Sequence, residues 1–249
     1  MNEKFEPELA WFKEIYPEGI LLNTSTVISG PGGSGKPIIA YALASEWLKK
    51  GGKIILFLTS TTYKYTNEIF KVFGIDLEKN KDKVFVALFN PTLREISNIA
   101  ENIVEANFLY PEHWDKVITM GKNYFEFPED VFIIASALNL LYFSPTYKDI
   151  IQEKLKEMVL NYKEDTLIFT LNSQAYKQYA KQLEDLSDNL MISEMQRPAK
   201  LLVKAIKGKD VPVVPEKLVH VPIPQNVLLE LKEKAEKGRT HLVPILKKI

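Results

Sequence analysis

Three features of the sequence point to an α/β protein with a mostly parallel central sheet. Short, β-branched apolar runs alternate with longer segments of helical period, the pattern of strands joined by crossover helices. A glycine-rich turn, Gly30-Pro31-Gly32-Gly33-Ser34-Gly35-Lys36-Pro37, falls between the first such run and the first helical segment. After about residue 187 the helices stop and short strands follow one another, as an antiparallel extension at one edge of the sheet requires.

In chain order, strands are predicted at Thr26–Ser29, Ile54–Thr59, Val84–Leu88, Val131–Ala135, Leu167–Leu171, Leu190–Ser193, Leu201–Ile206 and Leu218–Val221. Helices are predicted at Ile38–Lys50, Tyr65–Phe73, Leu93–Asn107, Tyr147–Tyr162 and Gln174–Leu183. In the third of these, Ile96, Ile99, Ala100, Ile103 and Val104 follow the spacing of an amphipathic face. Pro224–Lys237 reads as a charged amphipathic helix. The tail beyond it carries Leu242, Val243, Ile245, Leu246 and Ile249, more apolar surface than a free end needs, and is expected to dock on the protein's own body or on a neighbour. No internal repeat or linker divides the chain, so residues 1–222 are expected to form one domain and 223–249 an appendage to it.

Composition narrows the function. At 249 residues and 46% hydrophobic the chain can bury a sizeable core. Lys and Arg together number 32, equal to Asp and Glu, so no net field draws the protein to nucleic acid or to an anionic membrane. Without cysteine there is neither disulfide nor thiol chemistry, and His113, His220 and His241 have no metal-ligand spacing. No run of 18 apolar residues spans a membrane, and the N-terminus lacks the apolar core of a signal peptide, so a cytoplasmic location is expected. The aromatic and basic stretches "TTYKYTNEIFKVF" and "NSQAYKQYAKQ" read as amphipathic helix faces rather than base-stacking platforms, while "NLLYFSPTYKD" offers exposed aromatics to a partner.

The turn carries the chemistry. Gly30 to Lys36 matches G-x-x-x-x-G-K after an apolar strand and before a helix, the context of a phosphate-binding loop. Glycines let successive backbone N–H groups face an anion, the helix N-terminus adds partial positive charge, and Lys36 reaches the outer phosphates. The next position of such a loop is Ser or Thr, whose hydroxyl binds Mg²⁺. Pro37 stands there instead; it is compatible with a first helical turn but supplies neither hydroxyl nor N–H, and it biases Lys36 away from the α conformation.

With these residues the chain resembles the RecA-like ATPases of the KaiC and RadA type. "YPEGILLNTSTVISG" is similar to the lead-in of that family's loop and "KKGGKIILFLTS" to its second strand. Asp130 to Leu138 lies over the family's "DVVVIDSLS", and "LEDLSDNLMISEMQRPAKLLVKAIKGK" over its late segment. The resemblance runs in consistent order over roughly residues 15 to 210. It implies a three-layer P-loop NTPase fold, ATP or ADP as ligand, and Lys204 and Lys207 as phosphate contacts across a subunit interface.

The departures are systematic. The metal-holding Walker B aspartate falls on Ala135, and the glutamates that polarise the attacking water fall on Thr59 and Ser60. Glu129 and Asp130 precede the apolar run and belong to the opposite end of a parallel strand. The resemblance therefore implies a catalytically degenerate KaiC-like protein, a pseudo-ATPase that binds nucleotide or phosphate weakly through Gly30–Pro37, without Mg²⁺ in its usual place. It would act as an interaction or regulatory module, with itself, with a related ATPase subunit or with a peptide. Two other readings stay open: an active ATP-dependent, RadA-like recombination accessory protein that binds DNA, and a peptide-binding scaffold without nucleotide.

Overall fold

The structure is a computed structural model that describes residues 3–249, apart from the side chains of residues 231 and 235. Its elements, in chain order, are β1 (Lys4–Phe5), α1 (Ala10–Lys13), β2 (Ile20–Leu21), β3 (Ser25–Gly30), α2 (Lys36–Lys49), β4 (Lys53–Leu58), α3 (Tyr63–Val72), β5 (Val84–Phe89), β6 (Ser97–Ala100), β7 (Ile103–Ala106), α4 (Pro111–Tyr124), β8 (Val131–Ser136), α5 (Lys148–Asn161), β9 (Thr166–Asn172), α6 (Lys177–Leu186), β10 (Asn189–Gln196), β11 (Lys200–Lys207), β12 (Val219–His220) and α7 (Gln225–Leu246). Short 3₁₀ segments cover Leu77–Lys83 and Leu138–Phe143.

Ten strands form one sheet in the order β12-β11-β10-β3-β9-β8-β4-β5-β7-β6, and β1 pairs with β2 apart from it. The run from β10 to β7 is parallel, and β11, β12 and β6 pair antiparallel. The antiparallel extension thus starts after β10, which itself lies parallel to β3.

The buried strands alternate between two apolar layers. Ile28, Ile54, Leu56, Phe132, Ile134 and Ile168 pack with α2 and α3 on one face. Val27, Ile55, Phe57, Ile133, Ala135 and Phe169 pack with α4, α5 and α6 on the other. Because both faces are covered, the strands read as continuous apolar runs.

Leu93–Asn107, predicted as a helix, is instead the hairpin β6–β7, with a tight turn at Glu101-Asn102. Its spacing fits a helix by coincidence, but Val104 and Ala106 alternate with half-buried Ile103 and Glu105, the period of a strand. Asn102 donates its side-chain amide to the Val84 carbonyl and its own carbonyl accepts from Val86 N–H, which ties the turn to β5. The helix on this side of the chain is α4: Pro111 opens it, and Trp114, Val117, Ile118 and Gly121 form its buried face. Two of the three aromatics of "NLLYFSPTYKD" are packed inward, while Tyr147 stays half-buried. Tyr142 is buried and stacks on Tyr179 at 4.9 Å between ring centroids, and Phe143 packs edge-on against Tyr176.

The C-terminal helix is longer than predicted. α7 continues through Pro244 to Leu246, 22 residues, so it spans about 33 Å at 1.5 Å per residue. Leu228 near its start joins the α2-side cluster, and Leu246 at its end joins the opposite one. Leu242, Val243 and Ile249 pack beside Leu246, so the apolar tail docks on the chain's own body. α7 therefore lies across the carboxyl ends of the central strands like a strap. Leu246→Ala is expected to cost about 2–5 kcal/mol, measured by urea unfolding, with proteolytic cleavage near residue 246 rising before global unfolding.

Candidate functional site

β3 ends at Gly30, and the turn from Pro31 to Gly35 leads directly into α2. Gly30 is required by close approach: a Cβ there would lie 2.3 Å from the Ser193 carbonyl oxygen of β10. Gly35, at φ 75°, forms the N-cap of α2 in the left-handed region, where its missing Cβ also avoids Leu201. α2 begins at Lys36, so Pro37 does not keep Lys36 out of the helix as its bias predicts; Pro37 sits in the first turn, where no intrahelical bond needs its N–H.

Lys36 is turned back into the loop and is 6% exposed. Its ammonium donates to the carbonyls of Gly30 at 3.1 Å and Pro31 at 2.6 Å and to Ser34 Oγ at 3.1 Å. None of these partners is charged, and burial pushes the lysine down to about 8. A buried cation with only neutral partners is the electrostatic condition under which an incoming phosphate gains most. Since an anion binds the protonated form, affinity for phosphate or nucleotide is expected to be flat below pH 8 and to fall about tenfold per unit above it; titrations between pH 6.5 and 9.5 read this directly.

A cavity of about 290 Å³ opens beside the loop, over the carboxyl ends of β4, β8 and β9, which is where a ligand of an open parallel sheet sits. Alternation along β8 corrects one sequence assignment. Ala135 faces the opposite layer, among Phe57 and Phe169, while Ser136 faces α2 and lines the cavity. The position that would present an acid to the loop is therefore Ser136. At the end of β4, Thr59 is buried and its hydroxyl donates to the Ser136 carbonyl, while Ser60 and Thr61 line the cavity. The Tyr65 hydroxyl is buried at this cavity without a hydrogen-bond partner, while the buried hydroxyls of Tyr41 and Ser136 lie together there beside Thr61 and Thr66.

These residues do not fit a magnesium ion held in the usual way. Pro37 has no hydroxyl, Ser136 and Ser60 are not carboxylates, and no group of three or more His, Asp or Glu side chains converges among the described residues. They do fit a phosphate. Asp130 lies at the far end of β8 beside Thr166; burial, then the neighbouring Asp165, raise it to about 7. A strand of six residues, roughly 20 Å at 3.3 Å each, separates it from the loop.

α7 forms the cavity's outer wall. Lys232, Glu236 and Arg239 line it with Leu228, and the Lys232 stem passes over Gly33, with Cε 3.6 Å from where a Cβ would stand. None of the three charged groups is among the sequence-predicted site residues, because a Lys/Glu/Arg-rich helix near the end of a chain reads as a solvated face.

No family model and no curated protein matches the sequence. A solved structure does match: a KaiC-like protein from the hyperthermophilic archaeon Pyrococcus horikoshii superposes with a TM-score of 0.66, at 15% identity, over 89% of this chain and 100% of that one. In both sequence and space the glycine loop leaves β3, with β9 between it and β8. The chain has the RecA-like fold. Within this RecA-like fold the two basic positions of β11 part company. Lys207 donates to the Asp185 carbonyl at 2.8 Å, at the last turn of α6, and burial lowers its pKa. Among the described residues Lys204 has only Glu194, at 3.9 Å, and neither lysine lines the cavity. Among the described residues no helix is long and apolar enough to cross a membrane.

Proposed function

We propose that this RecA-like chain is a KaiC-like pseudo-ATPase: it binds the phosphates of a nucleotide through Gly30–Pro37 and works as a regulatory or interaction module rather than a hydrolase. The observation that carries this reading is Lys36, buried in a well-formed glycine cradle with neutral partners only, beside strand ends that present hydroxyls where metal-assisted hydrolysis needs carboxylates. The loop's N–H groups and Lys36 hold the anion, while Ser60, Thr61 and Ser136 are too weakly basic to activate water near neutral pH. ATP and ADP are the ligands of choice. Lys204, about one-third exposed and 3.9 Å from Glu194, is the basic residue of β11 that we assign to a phosphate on a neighbouring copy or a related subunit.

One carboxylate, Glu236 of α7, does line the cavity and, among the described residues, gives the opposing reading its general base. Phosphate release from Mg²⁺-ATP decides between them. The rate is expected to stay at the uncatalysed background; turnover above background that Glu236→Gln abolishes would instead make the protein an ATPase with its base on α7.

A further inference from the structure

We propose that α7 completes the phosphate cradle in cis, with Lys232 and Arg239 supplying the positive charge that a metal ion brings to the nucleotide in active relatives of this fold. The inference rests on the reading of the loop as a nucleotide site and names the groups that recognise the ligand's outer phosphates.

Leu228, Lys232, Glu236 and Arg239 recur every three or four residues, so one face of α7 is turned to the cavity. The helix cannot drift from it. Leu228 and Leu246 anchor it in separate apolar layers, and Gly238 rests on the Ser60 carbonyl so closely that a Cβ would meet that oxygen at 2.2 Å. Lys234 stands over the Tyr65 ring at 4.9 Å, a further tie to α3.

Charge on this face is unbalanced. Lys234 and Lys237 pair with Glu230 and Glu233 one turn earlier. Among the described residues, by contrast, the side chains of Lys232 and Arg239 have neither ion pair nor hydrogen bond. With Lys36 they place three cations around the cavity against the single carboxylate of Glu236. A phosphate chain would satisfy them, and Arg239 has the planar fork that grips phosphate oxygens in pairs. The buried Tyr65 hydroxyl, which has no hydrogen-bond partner, is a second sign that the cavity receives a polar ligand. The ligand class is a nucleoside di- or triphosphate bound without metal, and α7 closes over it.

Titration of the full-length protein with ADP and with ATP in EDTA tests this. Lys232→Ala and Arg239→Ala are each expected to weaken binding about tenfold and together about a hundredfold, one lost charge-assisted contact apiece. Both side chains are exposed on the helix, so folding is retained, and Lys232→Arg is expected to bind like the parent. Lys237→Ala, on another face and paired with Glu233, is expected to change nothing. Nucleotide is also expected to slow backbone hydrogen exchange across residues 225–246. If Lys36→Ala loses binding while Lys232→Ala/Arg239→Ala binds like the parent, the loop is a nucleotide site and α7 has no part in it. If Lys36→Ala binds unchanged, or the parent binds no nucleotide, both the loop reading and this inference fall.

Discussion

Ala135→Asp is expected to destabilise the protein by about 3–5 kcal/mol, whereas Ser136→Asp is expected to cost about 1 kcal/mol or less, although the residues are neighbours on one strand. The difference lies in what each faces. A carboxylate at 135 would enter the apolar layer of Phe57, Ile133 and Phe169. At 136 it would enter the cavity beside the hydroxyls of Tyr41 and Tyr65, which can donate to it. Urea unfolding of the two single variants measures this directly. The functional consequence is equally specific. Pro37→Thr with Ser136→Asp rebuilds a hydroxyl and a carboxylate on one side of the loop, and is expected to make ATP bind at least about tenfold more tightly with Mg²⁺ than without. Pro37→Thr with Ala135→Asp is expected to gain no such dependence. Equal stability of the two single variants would contradict the assignment of Ser136 to the ligand face.

Lys36→Met is expected to abolish nucleotide binding and at the same time raise the stability of the free protein by about 1–3 kcal/mol near neutral pH, or roughly 3–8 °C in Tm. The lysine falls from its ordinary 10.5 to about 8 through burial alone. A base whose folded pKa is depressed destabilises the fold fully below the folded value, and the penalty fades as pH rises from about 8 toward 10.5, where the unfolded chain also gives up its proton. Its removal orphans little. The Gly30 carbonyl still accepts from Ser173 N–H, the Pro31 carbonyl from Ser34 N–H, and Ser34 Oγ keeps Ser193 Oγ. The stability gain of the variant over the parent is therefore expected to shrink between pH 8 and 10. A Lys36→Met protein less stable than its parent would mean that the lysine braces the loop rather than waiting for an anion.

The parallel core and the glycine loop were legible because covered strands leave β-branched runs and a phosphate loop has a fixed residue grammar. That same covering hid the face of Ala135: where both sides of a strand are apolar, no period of two remains to tell which side chain meets the loop. The hairpin of β6 and β7 was misread because Ile96, Ile99, Ala100, Ile103 and Val104 satisfy a helical spacing, while the Asn102 turn that breaks it gains its meaning from contact with β5. α4 was missed although Pro111 and the Trp114, Val117, Ile118, Gly121 spacing announce it. The cations of α7 could not be read at all. Lys232 and Arg239 differ from Lys234 and Lys237 only in which side of the helix they occupy, and that side is set by anchors in two separate layers.

A nucleotide site with an anion cradle and no metal chemistry would bind ATP equally well with and without Mg²⁺. Calorimetric titration of ATP into the full-length protein, once with excess Mg²⁺ and once with EDTA, tests it most directly. Binding that is lost in Lys36→Met and equal within about threefold in the two conditions is the expected result. ATP that binds at least about a hundredfold more tightly with Mg²⁺, and is turned over, would contradict it.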